Sequence, residues 1–251
     1  MTEIDLPWCT VDVDGVPVLR YVAGTRDGRP LADLAEPLAS DAARAAISAL
    51  PGWVVASSDR AFVTGLTAHG ARLTRHRYVM SAPTAPHADA PSDPPSGIHL
   101  VPLREVSVAE LLPSWLAAYP DGHVDHETGT TQEIIASCWD HFADPDWWAT
   151  AHRSSAIAFS ADTIVGGIIV DVRPTPVPFG GPWLSDIWRR PGGGNRGLGT
   201  WFISRAMRLL HDDGLATLGL SVTHGNPARR VYEQLGFVEQ LESWTLRLPD
   251  A

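Results

Sequence analysis

The chain has 251 residues, of which 44% are hydrophobic and 19% charged: enough to bury the core of one large domain or two modest ones, and too apolar for disorder. A formal net charge of −10 argues against a general nucleic-acid binder. The longest apolar stretches, such as Thr163–Val170, are strand-length, the acidic start Met1-Thr-Glu-Ile-Asp5 lacks signal-peptide character, and Cys9 and Cys138 form no metal or redox spacing, so a cytoplasmic chain without membrane contact is expected.

In chain order, the first 80 residues predict a strand at Val16–Val22, a helix over Leu31–Leu50 and a strand at Trp53–Ser57. A helix at Asp59–Ala68 and a strand at Ala71–Met80 follow. Ala82–Ser96 carries five prolines among small polar residues and reads as an extended, semi-rigid linker. The expected organisation is therefore an N-terminal domain at 1–81, a linker at 82–96 and a second domain at 97–251.

The second domain begins with a strand at Ile98–Leu103. Helices near Val108–Tyr119 and Thr131–Phe142 flank a turn-rich connection, Asp121–Gly129. Strands follow at Ser155–Ser160, Thr163–Val172 and Trp183–Arg189. A glycine-rich loop opens a helix through Trp201–Leu210, with Gly214 as its stop. Thr217–Val222 is a strand, Pro227–Leu235 a short helix, and Phe237–Leu248 a final strand pair. This is a mixed-sheet α/β domain. The order β-α-β-α-β before residue 81 repeats that from Trp183 onward. Setting Gly70 over Gly236 aligns Val54–Met80 with Leu220–Leu246 without a gap, which reads as a degenerate half-repeat.

Charge is segregated along this second domain. Nine carboxylates and no arginine lie between Glu105 and His152, and seven arginines against two aspartates lie between Ile187 and Arg230. The chain has no lysine. One stretch should welcome cations and the other anions.

The chemistry centres on Leu184-Ser-Asp-Ile-Trp-Arg-Arg-Pro-Gly-Gly-Gly-Asn-Arg-Gly-Leu-Gly-Thr-Trp201, a strand running through a glycine loop into a helix N-terminus. Successive backbone N–H groups and the helix dipole make such a loop a phosphate cradle. A Walker loop needs a lysine the chain lacks, a dinucleotide fingerprint needs an acidic residue about 20 residues on, and no Gly-x-Ser-x-Gly elbow is present.

Two motifs carry a resemblance to the GNAT acetyltransferase superfamily. Asp186-Ile-Trp-Arg-Arg-Pro-Gly-Gly-Gly-Asn-Arg-Gly-Leu-Gly199 is similar to the family's strand and pyrophosphate loop. Asn226-Pro-Ala-Arg-Arg-Val-Tyr-Glu-Gln-Leu-Gly-Phe237 is similar to its Asn-x-x-Ala-x-x-x-Tyr-x-x-x-Gly-Phe. The resemblance covers Ile98–Leu248 and implies a GNAT-like fold with splayed central strands. One departure is Gly194, where the family carries Arg or Gln; Arg196 or Arg190 could supply that charge.

The resemblance implies acetyl-CoA as acyl donor, held by Ile187, Trp188 and Arg189, by the loop residues Gly194, Asn195, Arg196, Gly197, Leu198, Gly199 and Thr200, and by Asn226 and Arg229. It implies Tyr232 as the acid that protonates the departing thiolate. Leu66 takes the matching position in the half-repeat, which is expected to be catalytically silent. Asp186 is the first candidate for general base and His224 the second. The loop residues His123, Asp125, His126 and Glu127 are candidates for acceptor contacts, and no metal is expected. Trp139, Trp147, Trp148, Trp183 and Trp188 include candidates for a cation-attracting wall.

The expected activity is acyl-CoA-dependent N-acylation of a cationic amine, small-molecule or peptide, by direct attack in a ternary complex. The alternative is a non-catalytic module that keeps the fold and binds coenzyme A weakly or not at all. Gly194 favours the alternative; Asn226 and Tyr232 oppose it. A homodimer stays open.

Overall fold

The computed structural model describes residues 7–26, 28–127, 129–139, 144–172, 181–192 and 196–250. The chain forms two compact units. One takes residues up to Val79 together with those from Gln240 on; the other is Met80–Glu239.

The first unit contains β1 (Trp8–Val13), β2 (Val16–Arg26), β3 (Arg29–Pro37), α1 (Ala42–Ala49), β4 (Val54–Ser57), α2 (Arg60–Ala68) and β5 (Arg72–Pro83, through Val79). The β1–β2 hairpin turns on Asp14 and Gly15, at φ 50° and 77°. Asp-Gly tolerates two consecutive left-handed residues, which is what a tight two-residue hairpin needs. The helix expected over Leu31–Leu50 exists only from Ala42; residues 29–37 are strand instead. Gly28, at φ 70°, closes a second hairpin, and the ladder from Arg26↔Arg29 to Leu19↔Pro37 overrides the helical propensity of Leu-Ala-Asp-Leu-Ala-Glu. Asp59 caps α2 by accepting the Phe62 N–H at 2.7 Å. Val11, Leu19, Tyr21, Ala46, Phe62 and Leu66 form the core between helices and sheet.

The last strand of the chain, Val238–Arg247, pairs antiparallel with β4, from Trp244↔Ser57 to Arg247↔Val54. The expected division at 81/97 is therefore departed from at the C-terminus. Trp244, Leu246 and Leu248 complete the first unit's core, and those apolar groups leave water only there.

The second unit contains β6 (Ile98–Pro102), α3 (Val108–Ala118), α4 (Thr131–Cys138), α5 (Pro145–Thr150), β7 (Ala156–Ser160), β8 (Thr163–Asp171), β9 (Trp183–Arg189), α6 (Leu198–Asp212), β10 (Thr217–Thr223) and α7 (Ala228–Gln234); Val238–Arg247 is thus β11. Its sheet runs β10-β9-β8-β7-β6, with β9 and β10 parallel and the other pairs antiparallel. Reciprocal capping boxes start α3 (Ser107 with Glu110) and α4 (Thr130 with Glu133). Of the helix expected over Thr131–Phe142, residues 140–142 lie outside the described residues. The expected final strand pair is one continuous strand, β11.

The proline-rich segment is not a free spacer. Thr84 donates its N–H to Ala216 and its hydroxyl to Leu215, Ala85–His87 forms one 3-10 turn, and His87 Nε2 lies 3.1 Å from the Leu235 carbonyl. With those backbone groups paired inside the second unit, the segment's start is part of its wall.

Candidate active site

The parallel pair β9–β10 is joined only at Trp183↔Gly219 and Leu184↔Leu220. Beyond these residues β9 stays zipped to β8 through Gly166↔Arg189 and has no recorded partner in β10. The ladder ends there, so the strands part toward their C-terminal ends, and the crevice this makes is the usual ligand position of a parallel sheet. Trp188 anchors β9 from the other side. Its ring lies flat over Gly167, where any Cβ would collide, its Nε1 is 3.3 Å from Ser114 Oγ, and Trp139 packs edge-on at 6.0 Å. The Trp188 side chain is therefore core.

Helix α6 begins beside the end of β9. Gly197, at φ 84°, turns the chain into the helix, and Trp201 N–H to Gly197 O closes the first bond. The preceding N–H groups, those of Leu198, Gly199 and Thr200, have no intrahelical acceptor. A Cβ added at Gly192, Gly197 or Gly199 would meet no atom within 4 Å, and Arg189, Arg190 and Arg196 are exposed. This cradle fits an anionic, phosphate-bearing chain. Gly194 and Asn195 lie outside the described residues.

Asp186 stands on β9 at the crevice wall. Trp115 Nε1 donates to its Oδ2 at 2.6 Å, and the Tyr119 hydroxyl lies 3.1 Å from its Oδ1 and 3.0 Å from the Ile187 carbonyl. Burial pushes its carboxyl up to about 6, against the lowering effect of the Trp115, Tyr119 and Ile187 hydrogen bonds; the Asp125 charge adds to the rise. Trp115 and Tyr119 are four residues apart on α3 and its C-terminal cap, so they share a face and meet edge-on at 5.1 Å.

Tyr232, on α7, is buried and packs on Phe237 at 5.9 Å. Burial raises its hydroxyl above the ordinary tyrosine value, and the carboxylates of Asp186 and Asp125 raise it further. No hydrogen bond engages that hydroxyl among the described residues. It stays protonated across the neutral range.

The connection after α3 folds onto the β10–α7 turn. Asp125 accepts from Thr223 Oγ1 at 2.5 Å and from Asn226 Nδ2 at 2.6 Å, while Asn226 Oδ1 accepts the Ala228 N–H at 2.8 Å. Asn226 thus links the loop after α3 to the start of α7. His123 accepts the Asp125 N–H on Nδ1, and His126 bonds the Tyr119 carbonyl through Nδ1 at 2.7 Å and Asp121 through Nε2 at 3.2 Å. These histidines hold the loop's shape. Glu127 is half-buried, and His224 is exposed just after β10. Among the described residues no three His, Cys, Asp or Glu side chains gather as a metal site. Arg229 is paired with Glu233 and Glu239 at 2.8 and 2.9 Å. No helix among the described residues is long and apolar enough to cross a membrane.

Asp186, Tyr232, Asn226 and Asp125 are thus brought together, whereas Arg229 turns to its glutamates. Trp115 and Tyr119 went unread in the sequence. Their i, i+4 aromatic spacing was the available signal, and it is the ordinary mark of a core-facing helix.

Residues 113–237 match the profile of the family described as acetyltransferase (GNAT) family. No curated protein matches the sequence. Among solved structures, a GCN5-related N-acetyltransferase from Sphaerobacter thermophilus aligns with 95% of this chain and 79% of its own, at 16% identity and TM-score 0.59. A tandem GNAT protein from the clavulanic acid biosynthesis pathway aligns with 96% of this chain and 82% of its own, at 16% and 0.58. A GCN5-related N-acetyltransferase from Kribbella flavida aligns with 93% and 88%, at 15% and 0.53. These likenesses establish the fold, and with the family match they identify residues 113–237 as a GNAT-family acetyltransferase domain.

Proposed function

We propose that the second unit transfers an acetyl group from acetyl-CoA to a cationic primary amine by direct attack, with Asp186 as base and Tyr232 as acid. The observation that carries this reading is Asp186 itself, a carboxyl clamped by two donors at the crevice wall with its titration raised to about 6. Such a group is ionised at neutral pH yet basic enough to take a proton from a bound ammonium. The open N-terminal turn of α6 and the three exposed arginines support a pyrophosphate there.

In this mechanism Asp186 takes one proton from the acceptor ammonium. The freed nitrogen lone pair forms a bond to the acetyl carbonyl carbon. As the C–S bond breaks, Tyr232 gives its proton to the departing sulfur and regains one from the acylated nitrogen. Asp186 then releases its proton to solvent, so one proton leaves per turnover. Asp125, already satisfied by Thr223 and Asn226, contributes its negative field, which favours a cationic acceptor.

Calorimetry with acetyl-CoA, followed by thiol-release assays over amines, neutral alcohols and acidic amino compounds, tests the reading. Micromolar binding and turnover confined to cationic amines are expected. The non-catalytic alternative draws support from Asn226 and Arg229, whose side chains are already engaged by carboxylates. Absence of binding at millimolar acetyl-CoA would favour it.

A further inference from the structure

Tyr119 presents one hydroxyl hydrogen to two acceptors, Asp186 Oδ1 at 3.1 Å and the Ile187 carbonyl at 3.0 Å. A hydroxyl donates once and accepts elsewhere, so both contacts cannot be donations at the same moment. The ring is packed in place by its neighbours. Trp115 and His123 pack edge-on against it at 5.1 and 5.2 Å, and its own carbonyl is bonded to His126. Rotation of the hydrogen alone brings it to either acceptor.

We infer that Tyr119 is a two-position proton switch that positions Asp186 in both of its protonation states. This rests on the proposed role of Asp186 as base. With Asp186 ionised, Trp115 donates to Oδ2 and Tyr119 donates to Oδ1. When Asp186 takes a proton, Trp115 Nε1–H still occupies Oδ2, so the new proton sits on Oδ1. It is then donated to the Tyr119 oxygen, and the Tyr119 hydrogen swings to the Ile187 carbonyl. No bond between heavy atoms changes, and both Asp186 oxygens and the Tyr119 hydroxyl are paired in both states. A phenylalanine could serve neither state: it would leave Oδ1 one donor short when charged and without an acceptor when neutral.

The groups facing Asp186 are Trp115 from α3, Tyr119 at its C-terminal cap, the Ile187 backbone, Asp125 from the following loop and Tyr232 from α7. Asp125 is bonded to Thr223 and Asn226, and Tyr232 stays protonated across the neutral range, so a change in the Asp186 midpoint on altering residue 119 alone reports the Tyr119 contact.

The experiment is carbon-13 NMR titration of the aspartate carboxyls in the full chain, with Asp186→Asn assigning the resonance. Tyr119→Phe is expected to raise the Asp186 midpoint by about one pH unit, since the charged state loses a charge-assisted hydrogen bond. Should Tyr119→Phe not fold, 3,5-difluorotyrosine at 119, a stronger donor, is expected to lower the midpoint instead. An unchanged midpoint in the folded variant would overturn the switch, whatever its thermal stability. Loss of the base role would appear separately, as full thiol release by Asp186→Asn with an amine the wild type acetylates.

Discussion

Ser57 and Thr223 close the matching strands β4 and β10 of the two units, 166 residues apart, and give their hydroxyls to different kinds of partner, a strand carbonyl and a loop carboxylate. Ser57 Oγ donates to the Ala35 carbonyl at 2.6 Å, bridging β3 and β4 where they would otherwise part. Those strands are joined in parallel only at Leu31↔Val54 and Ala32↔Val55, the same two-pair zip seen between β9 and β10. Thr223 instead donates to Asp125 and leaves the β9–β10 crevice open. In the first unit, Leu66 is fully buried where the second has Tyr232, and Ala43 abuts Gly65, packing α1 onto α2.

The first unit is therefore expected to bind no acyl donor. Calorimetry should give one acetyl-CoA per chain, and two would contradict the closed crevice. Ser57→Ala removes a buried hydroxyl that also accepts the Asp59 N–H, and a loss of about 1–3 kcal/mol is expected in denaturant unfolding.

Asp186→Asn separates activity from stability. Turnover should fall by about 10²–10⁴-fold, with loss of the acidic limb near pH 6. Because the folded carboxyl titrates near 6 and the unfolded one near 3.8, the folded state binds the extra proton between those values. Its favourable contribution is present below 3.8 and lost as pH rises through 6. The asparagine variant should thus be more stable than wild type at pH 8, by up to about 3 kcal/mol, and gain little at pH 4. Paired unfolding curves at the two pH values check this.

Tyr232→Phe keeps the ring packed on Phe237 and removes only the acid. A fall in kcat of about 10²-fold is expected with the KM for acetyl-CoA nearly unchanged. An unaltered kcat across the pH range would exclude the acid role.

Asp125→Ala leaves the Thr223 hydroxyl and the Asn226 amide without their acceptor. Steady-state kinetics should show the amine KM rising by about tenfold or more, with a stability loss of about 1–3 kcal/mol.

His152 is held between Ser154 and Asp213, with Nδ1 accepting the Ser154 N–H. Burial lowers its titration, although the Asp213 hydrogen bond pulls the other way. A folded-state value below the unfolded one means the unfolded chain takes the proton first on acidification. Stability from this site is present above the ordinary histidine value of about 6.5 and declines as pH falls through it. His152→Gln should flatten the pH dependence of thermal unfolding between pH 7 and 5.

Much of the second unit is legible in sequence because its signals are local. Trp183–Arg189 is strand-rich and ends in a glycine run, so β9 and the start of α6 follow from backbone preference alone. The Gly70–Gly236 alignment survives in the structure, where both glycines have φ near 90° and each separates a short helix from a long strand. Residues 29–37 were misleading for a local reason too: their composition favours a helix, and the hairpin at Gly28 is what commits them to strand.

Sequence alone determined the α/β class and the half-repeat, and it named the glycine loop and the pair Asp186 and Tyr232 as candidates, since each depends on residue type and short-range spacing. Only the tertiary structure decided what those groups do to one another. Trp115 and Tyr119 lie 71 and 67 residues from Asp186, and Asp125 lies 101 from Asn226. A raised carboxyl needs burial that outweighs the hydrogen bonds lowering it, and chain spacing specifies neither. The return of β11 to β4 was decided the same way, by apolar side chains reaching their lowest free energy against helices nearly two hundred residues away.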